Sequence, residues 1–147
     1  MIELKTPDEI DAMAAAGRIV AAVLAAARDH AAPGVTTREL DTLARDLIAD
    51  AGARPTFLGY HPDWAPTPYP GAICTSVNDA VVHGPPTDAP LRDGDVLTVD
   101  LAVHLDGWCA DAAVGTVVGE ADPADLQLIA AAEKALDAGL AQARPGA

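Results

Sequence analysis

Two aspartates in the sequence are spaced so that a hairpin would bring them together. Asp100 and Asp111 lie on either side of an Asp106-Gly107 pair, within two segments, roughly 96–103 and 108–118, that alternate like strands. Asp-Gly between such segments predicts a two-residue hairpin loop. Because side chains alternate between the two faces of a strand, both aspartates fall on one face as diagonal neighbours, about 7–8 Å apart at Cβ.

Paired carboxylates at this spacing are suited to binding a cation. Alone they repel each other, and a divalent metal ion removes that repulsion. Two metal ions close together would need bridging carboxylates of this kind. The other interpretation, two surface aspartates on an edge hairpin, stays open, and two ligands do not complete a metal site. On the predicted face the two carboxylates lie among mostly small residues, which leave room above them. The residues of this face are Thr98, Asp100, Ala102, His104, Cys109, Asp111, Ala113 and Gly115.

Further residues could take part in binding or chemistry. His83 precedes Gly84-Pro85 at a predicted strand end, where functional side chains often project, although a lone histidine in a turn is also commonly structural or exposed. Cys109 is either a ligand for a soft metal or a small buried side chain. Aromatic residues, scarce elsewhere, gather in a proline-rich loop over 57–71 and form either a pocket wall or a cover for a sheet edge. These aromatics are Phe57, Tyr60, Trp64 and Tyr69.

Three predicted helices support these segments. The first starts at Thr6-Pro7-Asp8-Glu9, a capping box with proline at the first helical position, and continues to about His30. The second starts at Thr36 or Thr37 and ends before Gly52. The third runs from Asp122-Pro123 to about Ala143. The expected apolar face of the first helix contains Ile10, Met13, Gly17, Val20 and Leu24.

Two short strands, Ala72–Ser76 and Ala80–Val82, are predicted around an Asn78-Asp79 turn. Two longer strands follow over 96–103 and 108–118. The face of the first long strand that lies opposite the aspartate is wholly apolar and is expected to be core: Leu97, Val99, Leu101 and Val103.

The net charge of −13, from 22 acidic and 9 basic residues, disfavours anionic partners. Phosphate backbones and anionic membranes would be repelled, so neither nucleic-acid nor membrane binding is expected. The chain start has no apolar signal segment, and Arg18, Arg28 and Asp29 are expected to interrupt the alanine-rich stretches before they reach bilayer length. Two cysteines, Cys74 and Cys109, imply no disulfide framework. The sequence predicts one ordinary domain in the cytoplasm.

The motifs that carry these residues resemble type I methionine aminopeptidases in order and spacing, over essentially the whole chain. The stretches Lys5–Ile10 and Ala32–Leu40 share this resemblance. The other matching phrases are Leu58-Gly59-Tyr60, Ile73–Asp79, Val82-His83-Gly84, Asp93–Asp100 and Asp106–Asp111.

The resemblance implies an α+β pita-bread fold of the creatinase and aminopeptidase type, with residues 1–147 as its N-terminal half: a curved antiparallel sheet with two or three covering helices. Asp100 and Asp111 match the aspartates that bind two divalent metal ions (Co, Mn, Fe or Zn). His83 matches a catalytic histidine that contacts the substrate near the scissile bond. The implied reaction removes N-terminal methionine from nascent polypeptides when the second residue is small. The positions that match the methionine-binding pocket are Tyr60, Cys74 and Tyr69.

Three features depart from the family pattern. The remaining metal ligands, a histidine and two glutamates, lie in the family's second half, and one of those glutamates is the general base. This chain is expected to be truncated before them, just after Pro145-Gly146. Ala112 replaces the threonine that usually follows the second aspartate, which puts the hydrogen-bond support of Asp111 in question. The loop from Tyr60 to Cys74 is longer than in short bacterial enzymes, so the pocket is expected to differ.

The last four residues of the chain are similar to an earlier short segment. Arg144-Pro145-Gly146-Ala147 follows an alanine-rich helix just as Ala32-Pro33-Gly34-Val35 does, and in the first instance a second helix and strands come next. One interpretation is an internal repeat whose second copy stops after this short segment. The other is a chance similarity.

Alternatives to an active methionine aminopeptidase stay open. The chain alone is expected to be inactive and could be a non-catalytic half that binds peptides or a partner chain. A second enzyme of the same fold, such as a Xaa-Pro aminopeptidase, would normally carry a large extra N-terminal domain. An isolated half would also expose an apolar sheet edge, which predicts self-association or pairing with a complementary C-terminal fragment.

Overall fold

The computed structural model describes residues 3–146, so the predictions that fall on Met1, Ile2 and Ala147 lie outside the described residues. Three helices and four strands make up the described part. The helices are α1 (Pro7–His30), α2 (Thr37–Asp50) and α3 (Pro123–Leu140). The strands are β1 (Arg54–Pro55), β2 (Ile73–Val77), β3 (Val96–Leu105) and β4 (Trp108–Val117).

The first two helices begin as predicted, at Thr6 and Thr36. Each threonine hydroxyl accepts a hydrogen bond from the N–H of a glutamate three residues on, and that glutamate's carboxylate accepts one from the threonine N–H. The glutamates are Glu9 and Glu39. These reciprocal bonds satisfy donors that a helix start would otherwise leave unpaired. Gly52, at a φ of +70°, follows α2 in the left-handed conformation expected of a residue just past a helix end.

β3 is the central strand of the sheet. β4 pairs antiparallel with one of its edges, and both β1 and β2 pair antiparallel with the other. The turn into β4 is the predicted two-residue turn, with Leu105 opposite Trp108 and positive φ at Asp106 (49°) and Gly107 (88°). Positive φ at both turn residues gives a twist that matches the strands. The predicted hairpin and its register are confirmed.

The hydrophobic core lies on the predicted apolar face of β3. Leu97, Val99, Leu101 and Val103 are all fully buried and form one cluster with buried residues of α1 and α2. Asp100, which alternates with these residues, therefore projects from the face opposite those two helices. α3 has no buried residue and adds little to the core.

The predicted apolar face of α1 is confirmed in part, since Val20 and Leu24 are buried. Ile10 and Met13 are 54% and 39% exposed, because contact with the core begins only at Ala16. Small side chains fill much of the buried face, which allows the helix to approach the sheet closely. The buried residues of α1 are Ala16, Val20, Val23, Leu24 and Ala27.

α1 is also the one helix among residues 3–146 that is long and apolar enough to span a membrane, with a mean hydropathy of 1.7. The expectation that Arg18, Arg28 and Asp29 interrupt the apolar stretch before it reaches bilayer length is wrong, since the stretch is apolar enough with Arg18 inside it and the other two residues fall in its last turn. Buried helices of soluble proteins can be equally long and apolar, so these two properties are only weak evidence for membrane insertion. Here part of the helix surface packs against the sheet and α2.

The segment after β2 is not the strand that the sequence predicted. Over Ala80–Val82 the chain is irregular, with Val81 and Val82 90% and 63% exposed. Asn78 and His83 both adopt positive φ, 52° and 58°, which no regular strand accommodates. The chain therefore turns away from the sheet after β2 and returns to it at Gly84.

Candidate metal centre and substrate pocket

The hairpin brings Asp100 and Asp111 to the positions that the sequence predicted. Ala102 pairs with Asp111 and Asp100 pairs with Ala113, so the two carboxylates are diagonal neighbours on one face. Asp100 is half-buried and Asp111 is exposed. The face is thus open to solvent at one carboxylate and shielded at the other.

Asp100 has an unusual electrostatic environment. Its Oδ1 atom is buried without a hydrogen-bond partner among the described residues. Burial, followed by the neighbouring Asp111 charge, raises the pKa of Asp100, and His83 opposes that rise. Buried polar atoms are normally paired, so this oxygen lacks a partner that a cation would supply. Asp100 and Asp111 therefore fit two ligands of a metal site.

An apolar pocket of about 380 Å³ opens beside this face. It contains all four residues that the resemblance assigned to substrate binding, which come from three separate parts of the chain. Pockets lined by aromatic side chains with a few polar groups are typical of small-ligand sites. The lining includes Phe57, Tyr60, Trp64, Tyr69, Cys74 and His83.

A second cavity, of about 400 Å³, lies between the start of α2 and the chain from Gly84 to Asp95. Its lining contains none of the four predicted substrate residues, all of which line the apolar pocket. The smaller apolar pocket is therefore the candidate substrate pocket.

Cys74 connects the pocket to the carboxylates. It is the direct cross-strand partner of Asp100, on β2, and its side chain is buried at the pocket floor. Burial raises the pKa of the Cys74 thiol, which keeps it neutral at pH 7. Cys74 is thus a small apolar surface next to the metal-binding candidates.

Tyr69 forms a fixed wall of the pocket. Its hydroxyl lies 3.2 Å from the carbonyl oxygen of Ile73 and 3.0 Å from that of Gly84, and these two acceptors share its one hydrogen. Burial raises the pKa of Tyr69 far above its usual range, so the hydroxyl remains a donor. Phe57 packs edge-on against its ring, with centroids 6.5 Å apart. Tyr60, in contrast, is 63% exposed at the pocket mouth.

His83 is exposed and is positioned by its neighbour Gly84. The N–H of Thr75 donates to the carbonyl oxygen of Gly84 at 2.7 Å, and the N–H of Gly84 donates to the Ser76 hydroxyl at 3.2 Å. A side chain at Gly84 would meet the Thr75 carbonyl oxygen at 2.4 Å. Only glycine allows this close approach, which places His83 at the rim of the pocket near Asp100.

One important residue was missed by the sequence reasoning. Asp41 of α2 is 4% exposed, and its Oδ1 accepts hydrogen bonds from the N–H groups of Ala72 (2.6 Å) and Ile73 (3.1 Å) at the start of β2. Arg45, one turn later, donates to Asp41 and to the carbonyl oxygen of Pro70. Asp41 and Arg45 together anchor the end of the pocket loop, and no motif marked this role because the backbone groups that they bind lie 25 to 32 residues away in sequence.

Cys109 is exposed, so the interpretation as a small buried side chain is wrong. It is the cross-strand partner of His104. The Thr56 hydroxyl lies 2.8 Å from His104 Nδ1 and 3.9 Å from Cys109 Sγ. These groups share the face of Asp111 but bond to Thr56 rather than to the carboxylates.

Comparison with known proteins shows which family this chain belongs to. Residues 11–147 match the model of metallopeptidase family M24. The chain belongs to metallopeptidase family M24. Methionine aminopeptidase 1 of Mycobacterium tuberculosis is 45% identical over 142 residues, which are 96% of this chain and 51% of that protein. Methionine aminopeptidase 1 of Bacillus subtilis is 40% identical over 146 residues, which are 99% of this chain and 56% of that protein.

Solved structures of M24 proteins agree with the fold. The crystal structure of methionine aminopeptidase from Thermotoga maritima superimposes with a TM-score of 0.90 at 35% identity, over 99% of this chain and 57% of that one. Prolidase from Pyrococcus furiosus, at 20% identity and a TM-score of 0.69, shares the fold alone. The resemblance to type I methionine aminopeptidases and the α+β pita-bread fold are confirmed. The chain spans about half the length of the curated relatives it matches.

The two aspartates are the candidate metal ligands of this M24 chain. The part of the chain from residue 3 to residue 146 contains no group of three or more His, Cys, Asp or Glu side chains that could hold a metal ion. The structure brings Asp100 and Asp111 together but adds no third protein ligand.

Proposed function

We propose that the chain is the N-terminal half of the catalytic domain of a metal-dependent aminopeptidase, which removes N-terminal methionine from nascent polypeptides when the second residue is small. The proposal depends mainly on one observation: the unpartnered Asp100 carboxylate lies next to an apolar pocket that contains all the predicted substrate residues. A peptide bound there would place its first side chain against the aromatic wall and its amino end near the carboxylates.

The chain's own residues have distinct roles in this proposal. Asp100 and Asp111 bind the metal ions, two per site and of Co, Mn, Fe or Zn. Divalent ions held there supply Lewis-acid activation of the peptide carbonyl and of the attacking water. His83 hydrogen-bonds the substrate near the scissile bond. The residues that bind the first side chain are Tyr60, Tyr69 and Cys74.

The same proposal predicts that this chain alone is inactive, because two aspartates leave the metal site open. Purified chain should not cleave a Met-Ala-Ser peptide with added Co²⁺ or Mn²⁺, as measured by release of free methionine. Turnover that disappears in Asp100→Ala would show that no second half is required. Self-association, or pairing with a complementary C-terminal fragment, is part of the proposal, and a sharp monomer peak in light scattering at micromolar concentration would count against self-association.

Metal binding can be tested separately from activity. Calorimetric titration with Mn²⁺ should show weak binding that is lost in Asp100→Asn. The matched control is Asp106→Asn, since Asp106 is an exposed turn residue with positive φ, a conformation that asparagine tolerates well. In EDTA, Asp100→Asn should not lower the melting temperature, because it replaces a half-buried charge beside Asp111 with a neutral group of the same shape. Equal Mn²⁺ affinity in Asp100→Asn would refute the metal assignment.

A second candidate function is a non-catalytic half that binds peptides or a partner chain. The aromatic-lined apolar pocket supports it, because such a pocket could hold a peptide side chain without a metal ion. A Xaa-Pro aminopeptidase has less support, since the aminopeptidase P structures, like the prolidases, share the fold at only 18–21% identity. The cytoplasmic location and the absence of nucleic-acid and membrane partners stay predictions.

A further inference from the structure

The loop from Tyr60 to Tyr69 is a closed, ordered element at the mouth of the pocket. Two backbone hydrogen bonds join its ends: Tyr69 N–H donates to the Tyr60 carbonyl at 2.8 Å, and Gly59 N–H to the Tyr69 carbonyl at 2.9 Å. Within it, the Ala65 N–H donates to the Pro62 carbonyl at 2.9 Å. His61 Nε2 lies 3.0 Å from the Ala65 carbonyl oxygen. We name residues 60–69 the mouth loop.

The tip of the mouth loop carries Trp64, which lines the pocket although it is 84% exposed. A tryptophan is one of the largest apolar side chains, and leaving it in water forgoes the free energy that burial would release. The hydrogen bonds of the loop nevertheless present it at the pocket mouth. An exposed aromatic on an ordered loop beside an apolar cavity is typical of a ligand-binding surface.

The rest of the pocket indicates what Trp64 would contact. Tyr69 and Cys74 form the inner wall, and Asp100 adjoins the floor through its pairing with Cys74. An α-amino group, being positive at pH 7, suits the acidic side of this site, on a chain of net charge −13. A long apolar side chain on an amino-terminal residue bound in that orientation would extend along the apolar wall toward Trp64, whereas a small side chain would leave this wall uncovered.

We propose that Trp64 is a specificity-determining residue: its indole covers the long apolar side chain of a peptide's first residue and so discriminates it from a small one. The inference depends on the proposed function for the identity of the bound peptide, and it adds an outer wall from the mouth loop to the substrate pocket. Trp64 acts on binding of the side chain and touches neither the metal ligands nor the scissile bond.

The two tryptophans of the chain make this testable by fluorescence. Trp108 lies at the hairpin turn, with the Lys5 ammonium 5.6 Å from its ring, so Trp108→Phe leaves Trp64 as the sole indole reporter. In that variant the emission of Trp64 should shift to the blue, saturably, when Met-Ala-Ser is added with Mn²⁺. Gly-Ala-Ser should produce no shift.

Affinities measured by calorimetry give the second readout. Trp64→Ala should bind Met-Ala-Ser about tenfold more weakly than the parent, because burying part of an indole surface is worth that factor. Trp64→Phe should recover part of the loss. Affinity for Gly-Ala-Ser should be the same in all three proteins. The melting temperature serves as the control for folding. It should be the same in the parent and in Trp64→Ala, because Trp64 is largely exposed.

Two results would overturn the inference: equal Met-Ala-Ser affinity in Trp64→Ala and parent, or no saturable Met-Ala-Ser binding by the parent. Failure of the proposed function gives a different pattern. If acetyl-Met-Ala-Ser binds as well as the free peptide, and Mn²⁺ has no effect, the aminopeptidase assignment fails. Loss of Met-Ala-Ser affinity in Trp64→Ala would still support the role of Trp64 in that case.

Discussion

A methyl group added at Gly84 tests how the pocket rim is built. The Cβ atom of an alanine there would lie 2.4 Å from the Thr75 carbonyl oxygen and 3.1 Å from the Ser76 Cα, both backbone contacts that no rotamer change can relieve. Ordinary contact begins at 3.4 Å, so the segment must move away from β2 by about 1 Å. Such a shift carries His83 with it, because the two residues are consecutive.

The magnitude follows from the bonds that this shift breaks. Gly84 exchanges two hydrogen bonds with β2, through Thr75 and the Ser76 hydroxyl, and its carbonyl oxygen accepts a third from Tyr69. Weakening two or three bonds at about 1 kcal/mol each predicts a loss of about 2–3 kcal/mol. In a domain of this size that is a fall in melting temperature of roughly 4–10 °C.

Thermal unfolding followed by circular dichroism measures this, with Gly17→Ala as the matched control. Gly17 lies inside α1 with nothing within 4 Å of its added Cβ, so that substitution should stabilise the chain by about 0.5–1 kcal/mol. Binding of Met-Ala-Ser should weaken in Gly84→Ala but not in Gly17→Ala. A melting temperature for Gly84→Ala equal to that of the parent would refute the claim that backbone contact at β2 positions His83.

Two further predictions concern the supports of the site. Asp41→Ala should destabilise the chain by about 3 kcal/mol in urea unfolding, because it leaves buried N–H groups without an acceptor, whereas Asp46→Ala, exposed on the same helix, should change stability by less than about 0.5 kcal/mol. The hydrogen bonds from Thr36 hold the pKa of Glu39 below its ordinary value of 4.5, so its contribution is present above that pH and lost as pH falls through the lowered pKa. Glu39→Gln should therefore reduce the acid-induced fall in melting temperature below about pH 4.5, and identical pH profiles would contradict this.

Much of the site was predictable because local rules specify it. The Asp106-Gly107 turn and strand alternation together determine that Asp100 and Asp111 share a face, since a two-residue turn permits one register. The capping boxes at Thr6 and Thr36 likewise depend on residues three positions apart. In these cases the interacting groups are close in sequence, and their geometry follows from the backbone of one element.

The tertiary structure alone decided the features that depend on distant segments. Ala80–Val82 has the composition of a strand, but the docking of Gly84 on Thr75 pulls this segment away from the sheet. β1, only two residues long, exists because β3 offers it an edge, and no pattern in Arg54–Pro55 signals it. The burial of Asp41 and the exposure of Cys109 also depend on which element lies opposite each side chain. The sequence by itself determined the hairpin that carries the carboxylates, whereas long-range packing determined the pocket beside them.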